Sequence, residues 1–166
     1  LRSQGISNSL IASSVSRWFV MSVLTGRYSG SSETQFDKDV RQIGIGDFAE
    51  ILGQVEQAEL SSVFWEVGLK QQLATSGTNS PYFWVFVAAQ VRANDKGLLS
   101  KDVAVRELVS YVGDIHHIFP KDVLKKAGLT RSQYNQIANL VYTQQEVNIK
   151  IGNKIPGTYF SDMRLQ

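Results

Sequence analysis

Cysteine is absent from this 166-residue chain, while proline occurs three times and histidine and methionine twice each. With no cysteine there can be no disulfide and no thiolate-held zinc. Long apolar runs are missing too. The most apolar stretch, Tyr82 to Val91, is about half the roughly 20 residues that a membrane-spanning helix needs. Nothing near the N-terminus reads as a signal peptide. These absences predict a cytoplasmic protein that does not engage a membrane. Strong charge of either sign is also lacking: the net charge is +2, too small to mark a nucleic-acid binder. An initiator is missing, since the chain opens on Leu1, and this predicts a fragment of a longer protein.

What is present is enough for a sizeable core. With 43% hydrophobic and 10% aromatic residues, the chain suits one domain, or a domain with a small appended module, and does not suit disorder. Its charge is unevenly spread. Residues 1–112 hold 10 Lys/Arg against 11 Asp/Glu, whereas residues 113–166 hold 7 against 4. The basic excess therefore lies in the C-terminal part, where a polyanion would bind, although ordinary surface charge gives the same pattern.

The first two thirds read as helices. Leu10, Ile11, Val15, Trp18, Phe19 and Leu24 recur at helical spacing, and Gly26 to Gly30 make a glycine-punctuated turn. Ser32 with Gln35 offers a capping box for a second helix ending at Gly44. Asp47 caps a long third helix expected to continue through Leu73, and Thr75 to Asn79 form a loop. Ser80-Pro81 opens a helix over Tyr82 to Arg92 that is apolar nearly all round, which predicts a buried central helix. After a turn at 94–97, Ser100 starts a further helix toward Leu108. Trp18, Trp65 and Trp84 fall on apolar stripes and are assigned to the core. Arg17 and Tyr28 are taken as structural.

From Gly113 the character changes. Ile115 to Phe119 is short, apolar and β-prone, stopped by Pro120. Helical turns follow over 121–127 and from the Thr130 cap to Ala138. Leu140 to Thr143 reads as a second strand, and Gln144 to Ile151 as a polar helix. After a turn at 152–154, Pro156 opens a last helix with Tyr159 and Phe160 inward. The expected architecture is mainly α, a helical region at 1–112, with a compact ββα unit at 113–166.

Both histidines of the chain, His116 and His117, lie side by side on the first of these strands. Asn139 precedes the second strand and Asn148 lies on the helix. Histidine supplies a neutral base near pH 7 and a nitrogen ligand for a divalent metal. Phosphodiesters hydrolyse slowly because water is a poor nucleophile and the alkoxide a poor leaving group. A metal ion with open positions and a positioned base meets both needs. His116, His117 and Asn148, with Asp114 nearby, form such a set. Adjacent strand residues point to opposite faces, so the two histidines converge only where the strand ends or bulges, and Pro120 favours an early end.

Asp114-Ile115-His116-His117-Ile118-Phe119-Pro120, then Asn139 and Asn148, resemble the motif of the HNH nucleases, the ββα-metal fold. The resemblance implies His116 as a metal ligand, His117 as the general base, Asn139 as the residue that orients the base through its loop, and Asn148 as the second ligand. Asn148 stands where the family name has histidine. A neutral amide binds metal more weakly, which favours magnesium or manganese over tightly held zinc. Arg17 to Ser22, Gly26 to Glu33, Asn135 to Leu140 and Asn148 to Lys154 further resemble the C-terminal half of GmrSD-type restriction proteins. That resemblance implies a helical region joined to an HNH domain, DNA as partner, a role in restriction or phage defence, and a ParB-like nucleotide-using N-terminal half that is absent here.

Several residues keep two readings. Asp114 is a carboxylate holding a ligand histidine or a surface turn residue. Lys150 and Lys154 are phosphate contacts or solvated lysines, and Asn139 is a turn former or the orienting residue. Three rivals to a DNA endonuclease remain: an inactive DNA- or partner-binding module of the same fold, an RNA-directed or toxin-type nuclease, and a purely structural helical adaptor.

Overall fold

The computed structural model describes residues 6–75, 77–111 and 113–164. Ser76 of the expected loop, Val112 at the expected boundary, and the chain ends at 1–5 and 165–166 lie outside the described residues. The chain is mostly helical with one two-stranded antiparallel sheet. It gathers into two compact units, Leu1–Lys70 and Gln71–Gln166. Among the described residues, no helix is long and apolar enough to cross a membrane.

The first unit holds α1 (Asn8–Thr25), α2 (Ser32–Ile45) and α3 (Phe48–Glu59), with α1 and α2 both packing on α3. Ser7 caps α1 by accepting from the Leu10 amide, and Asp47 caps α3 by accepting from Glu50. Gly26 ends α1 at φ 65°, a conformation that costs little only without a Cβ. The expected stop of α2 at Gly44 is displaced to Gly46, since a lone glycine inside a helix weakens it by only about 1 kcal/mol. The expected continuous helix from Asp47 to Leu73 is broken at Leu60–Ser61 and resumes with a π turn at Phe64–Gly68, which runs into α4 (Leu69–Thr75). Met21, Leu24, Phe48 and Leu52 form the buried centre, whereas Phe19 is 66% exposed.

The second unit contains α5 (Pro81–Ala93), α6 (Val105–Ser110), β1 (Gly113–His117), α7 (Lys121–Lys126), α8 (Arg131–Tyr134), β2 (Leu140–Gln144), α9 (Gln145–Ile151) and α10 (Pro156–Arg164). Its core joins Phe83 and Val87 of α5, Val105 and Leu108 of α6, and Ile137, Leu140 and Tyr142. Helices from before residue 112 thus share a core with the strands after it. Ser80 caps α5 with Pro81 at its first turn. The helix is buried along the Phe83–Val87 stripe and not all round: Trp84 is 54% exposed, and Trp65 of the first unit is 44% exposed, so neither is the core residue expected. α6 begins at Val105, after an Ala104 cap, and not near Ser100.

Strand β1 runs in regular antiparallel register with β2, from Gly113 opposite Gln144 to His117 opposite Leu140. Gly113 lets β1 start against α6, because a Cβ there would stand 2.6 Å from Leu108 Cβ and 2.7 Å from its carbonyl oxygen. Loop 97–98 covers β2, with the Leu98 amide donating to Tyr142 O and Thr143 Oγ1 donating to Leu98 O. Helix α9 packs on both strands. The connection from β2 into α9 is immediate, so residues of the helix are set directly against β1.

Candidate active site

Strand alternation sorts the side chains of β1. Asp114 and His116, two positions apart, share a face, and Asn148 of α9 links them. Asn148 Nδ2 donates to Asp114 Oδ2 at 3.0 Å, and Asn148 Oδ1 lies 2.7 Å from His116 Nδ1. Since the amide oxygen only accepts, Nδ1 carries the hydrogen and Nε2 holds the lone pair. That Nε2 is buried without a hydrogen-bond partner, a state that costs about 1–3 kcal/mol. Tyr159 packs edge-on to the His116 ring, with centroids 6.2 Å apart, and its hydroxyl donates to Ile118 O. Burial lowers the pKa of His116 against the Asn148 hydrogen bond, which keeps the ring neutral and available as a ligand.

His117 belongs to the other side. The ladder continues through it without a bulge, so its side chain leaves the strand from the opposite face, while its ring remains near enough to His116 to be influenced by it. Its Nε2 lies 2.9 Å from Asn135 Oδ1, just beyond the end of α8. With an amide oxygen as partner, Nε2 carries the hydrogen and the Nδ1 lone pair is left to accept a proton. Burial lowers its pKa, the Asn135 hydrogen bond opposes this, and Lys121 and His116 lower it further. The result is a neutral imidazole of fixed tautomer.

Asn139 is buried and makes no bond to either histidine ring. Its Oδ1 accepts from the Phe119 amide at 2.8 Å, and its Nδ2 donates to Phe119 O at 3.1 Å and Tyr134 O at 3.0 Å. The Ile118 amide adds a bond to Asn139 O. One side chain thus ties the segment after His117 to the end of α8, the element that delivers Asn135. Of the two candidate lysines, Lys154 is paired with Asp162 at 2.9 Å. Lys150 is exposed and makes no ion pair among the described residues.

The donors on the α9 side fit a divalent metal. A carboxylate, an imidazole and an amide oxygen suit a hard or borderline ion. His116 Nδ1 and Asn148 Oδ1 are joined by a 2.7 Å hydrogen bond, so an ion held by both would have to replace that bond, with the imidazole proton carried on Nε2 instead. Among the described residues, no group of three His, Cys, Asp or Glu gathers at one point; here the third donor is an asparagine. Asn135 and Tyr159 were not singled out from sequence as site residues. Asn135 lies in the segment Asn135 to Leu140 quoted for the resemblance, and that was the signal available for it.

No family model matches the chain, and no solved structure matches it. An uncharacterized protein of the archaeon Methanocaldococcus jannaschii is 28% identical over 156 residues, which cover 90% of this chain and 25% of that protein. The chain therefore spans about a quarter of the length of the relative it resembles.

Proposed function

We propose that the chain is a metal-dependent endonuclease domain of the HNH type that hydrolyses DNA phosphodiester bonds and belongs to a prokaryotic restriction or phage-defence protein. What supports the reading is one arrangement on a ββα unit. Asp114, Asn148 and His116 are joined on one face, His117 follows on the strand with Nδ1 open, and Asn139 ties down the next segment. A divalent ion on His116 and Asn148, magnesium or manganese, would stabilise the negative charge that gathers on the phosphate and the leaving oxygen.

The chain's own residues account for the proton transfer and its geometry. Neutral His117 takes a proton at Nδ1 from the attacking water as the new oxygen–phosphorus bond forms. The bond to the 3′ oxygen breaks, and that oxygen is protonated from solvent. Asn135 holds Nε2–H and so keeps the lone pair on Nδ1, while Asn139 fixes the backbone from which the ring projects. Asp114 fixes the amide of Asn148, which sets its oxygen toward His116. Lys150, which makes no ion pair among the described residues, would supply a cation on α9 to a neighbouring phosphate. The reading places the domain in the cytoplasm, behind a ParB-like nucleotide-using half for which the archaeal relative has ample length.

The test uses end-labelled duplex DNA and RNA with magnesium, manganese or EDTA. Metal-dependent cleavage of DNA leaving 3′-hydroxyl and 5′-phosphate ends is the expected result. Preference for RNA would assign the chain to the toxin-type nucleases, and DNA binding without cleavage would make it a binding module.

A further inference from the structure

We infer that the open cavity lined by Asn135, the partner of His117, between the loop before α5 and the start of α8, is a subsite that takes the sugar–phosphate backbone of the DNA flanking the bond to be cut. This inference rests on the nuclease reading of the ββα unit. The cavity has a volume of about 780 Å³ and is lined by Thr78 and Asn79 from the loop and by Arg131, Ser132 and Asn135 from α8 and its end. Asn135 is the link: the residue that holds the base by its Nε2 is also part of the cavity wall. Whatever fills the cavity therefore touches the residue that orients the general base.

The lining selects the ligand by chemistry. It offers hydroxyls, amides and one guanidinium, and no carboxylate, so it does not suit a cation. No aromatic ring lines it, so it offers no platform on which a base could stack. Arginine, serine, threonine and asparagine are the side chains that contact phosphate and sugar in DNA complexes. Arg131 is exposed and makes no ion pair among the described residues, so its charge is available. Thr130, by contrast, is taken up in capping α8 through Gln133.

The two walls are also held together. A Cβ on Gly77 would lie 2.7 Å from the carbonyl oxygen of Asn135, closer than such atoms come. Only glycine lets the loop sit against the residue that holds His117.

The experiment is fluorescence anisotropy of a labelled DNA duplex with the full chain in EDTA, across a salt series, paired with plasmid nicking in manganese. Arg131→Ala and Asn79→Ala are expected to weaken binding several-fold, Arg131→Ala lowering the salt slope by about one. Arg131→Lys should restore most of the affinity. Arg92→Ala, at the other end of α5, should change neither binding nor slope. Circular dichroism confirms that each variant is folded, and Asn79→Ala carries the test where Arg131→Ala is not. Equal binding and slope in wild type, Arg131→Ala and Asn79→Ala would overturn the subsite and leave the nuclease reading standing if nicking persists. Arg131-dependent binding without nicking by any form would uphold the cavity as a DNA-backbone site but sink the nuclease reading, and with it the place beside a bond to be cut. Failure of the wild-type chain to bind DNA would overturn the subsite.

Discussion

Each unit of the molecule gathers polar groups around a central side chain, and the two clusters differ in what they leave over. In the first unit the centre is Asp39, 2% exposed. Its Oδ1 accepts from Arg27 Nη2 and Gln35 Nε2, and its Oδ2 from Arg27 Nε and the Tyr28 hydroxyl. Tyr28 in turn accepts from Trp18 Nε1, Arg27 also bonds Glu59, and its guanidinium lies over the Trp18 ring. Every lone pair of the carboxylate is used. In the second unit, His116 keeps a buried ring nitrogen with no partner and His117 keeps an open Nδ1. A closed network fixes a fold, whereas one that retains spare donors and acceptors is equipped to meet a ligand.

This contrast can be broken at several points. The largest expected effect on stability is from Asp39→Ala, which leaves the buried Arg27 with Glu59 as its one remaining charged partner and should cost about 3 kcal/mol in chemical denaturation. Wild-type stability would show that the closed network is not what holds the three helices. Asn139→Ala should cost about 2–3 kcal/mol, because it removes three hydrogen bonds, one of them to the buried Tyr134 carbonyl and two to the half-buried backbone of Phe119. It should slow nicking as well, by loosening the segment behind His117. A stable but inactive Asn139→Ala protein would mean that this residue acts at the chemistry itself.

A smaller effect is expected from pH. Burial alone would raise the pKa of Asp39, but the hydrogen bonds from Arg27, Tyr28 and Gln35, with the charge of Arg27, hold it below the usual carboxylate range. A depressed folded pKa adds stability that is complete above the unfolded value, about 3.9, and is lost as pH falls through the lower folded value. Circular dichroism from pH 7 to 2 should therefore show acid unfolding of the wild type steeper below about pH 4 than that of Asp39→Asn. Matching acid transitions would remove Asp39 as the cause.

Most element starts were legible in the sequence, because they rest on local signals. Ser80-Pro81, Asp47, the Thr130 cap and Pro156 mark helix starts, and the short apolar runs at 115–119 and 140–143 point to the two strands, the first of which lies two residues earlier, at Gly113–His117. What was not legible depends on neighbours far along the chain. Trp65 and Trp84 sit on apolar stripes, yet the stripe that turns inward is set by what packs against it, and both rings remain partly in solvent. The break after Leu60 lies in a run whose spacing continues across it. At the site, the ladder runs without a bulge, and His117 meets Asn135, 18 positions away. No periodicity connects those two residues; only the fold of α8 against the sheet does.

The most direct test of the account is the nicking rate of supercoiled plasmid by His117→Ala relative to wild type, in manganese, with equal amounts of folded protein. Loss of the base should slow nicking by roughly 10²–10⁴-fold while the unfolding transition stays within about 1 kcal/mol of wild type. Equal nicking by the two proteins would contradict the assignment of His117 as general base and with it the catalytic reading of the ββα unit.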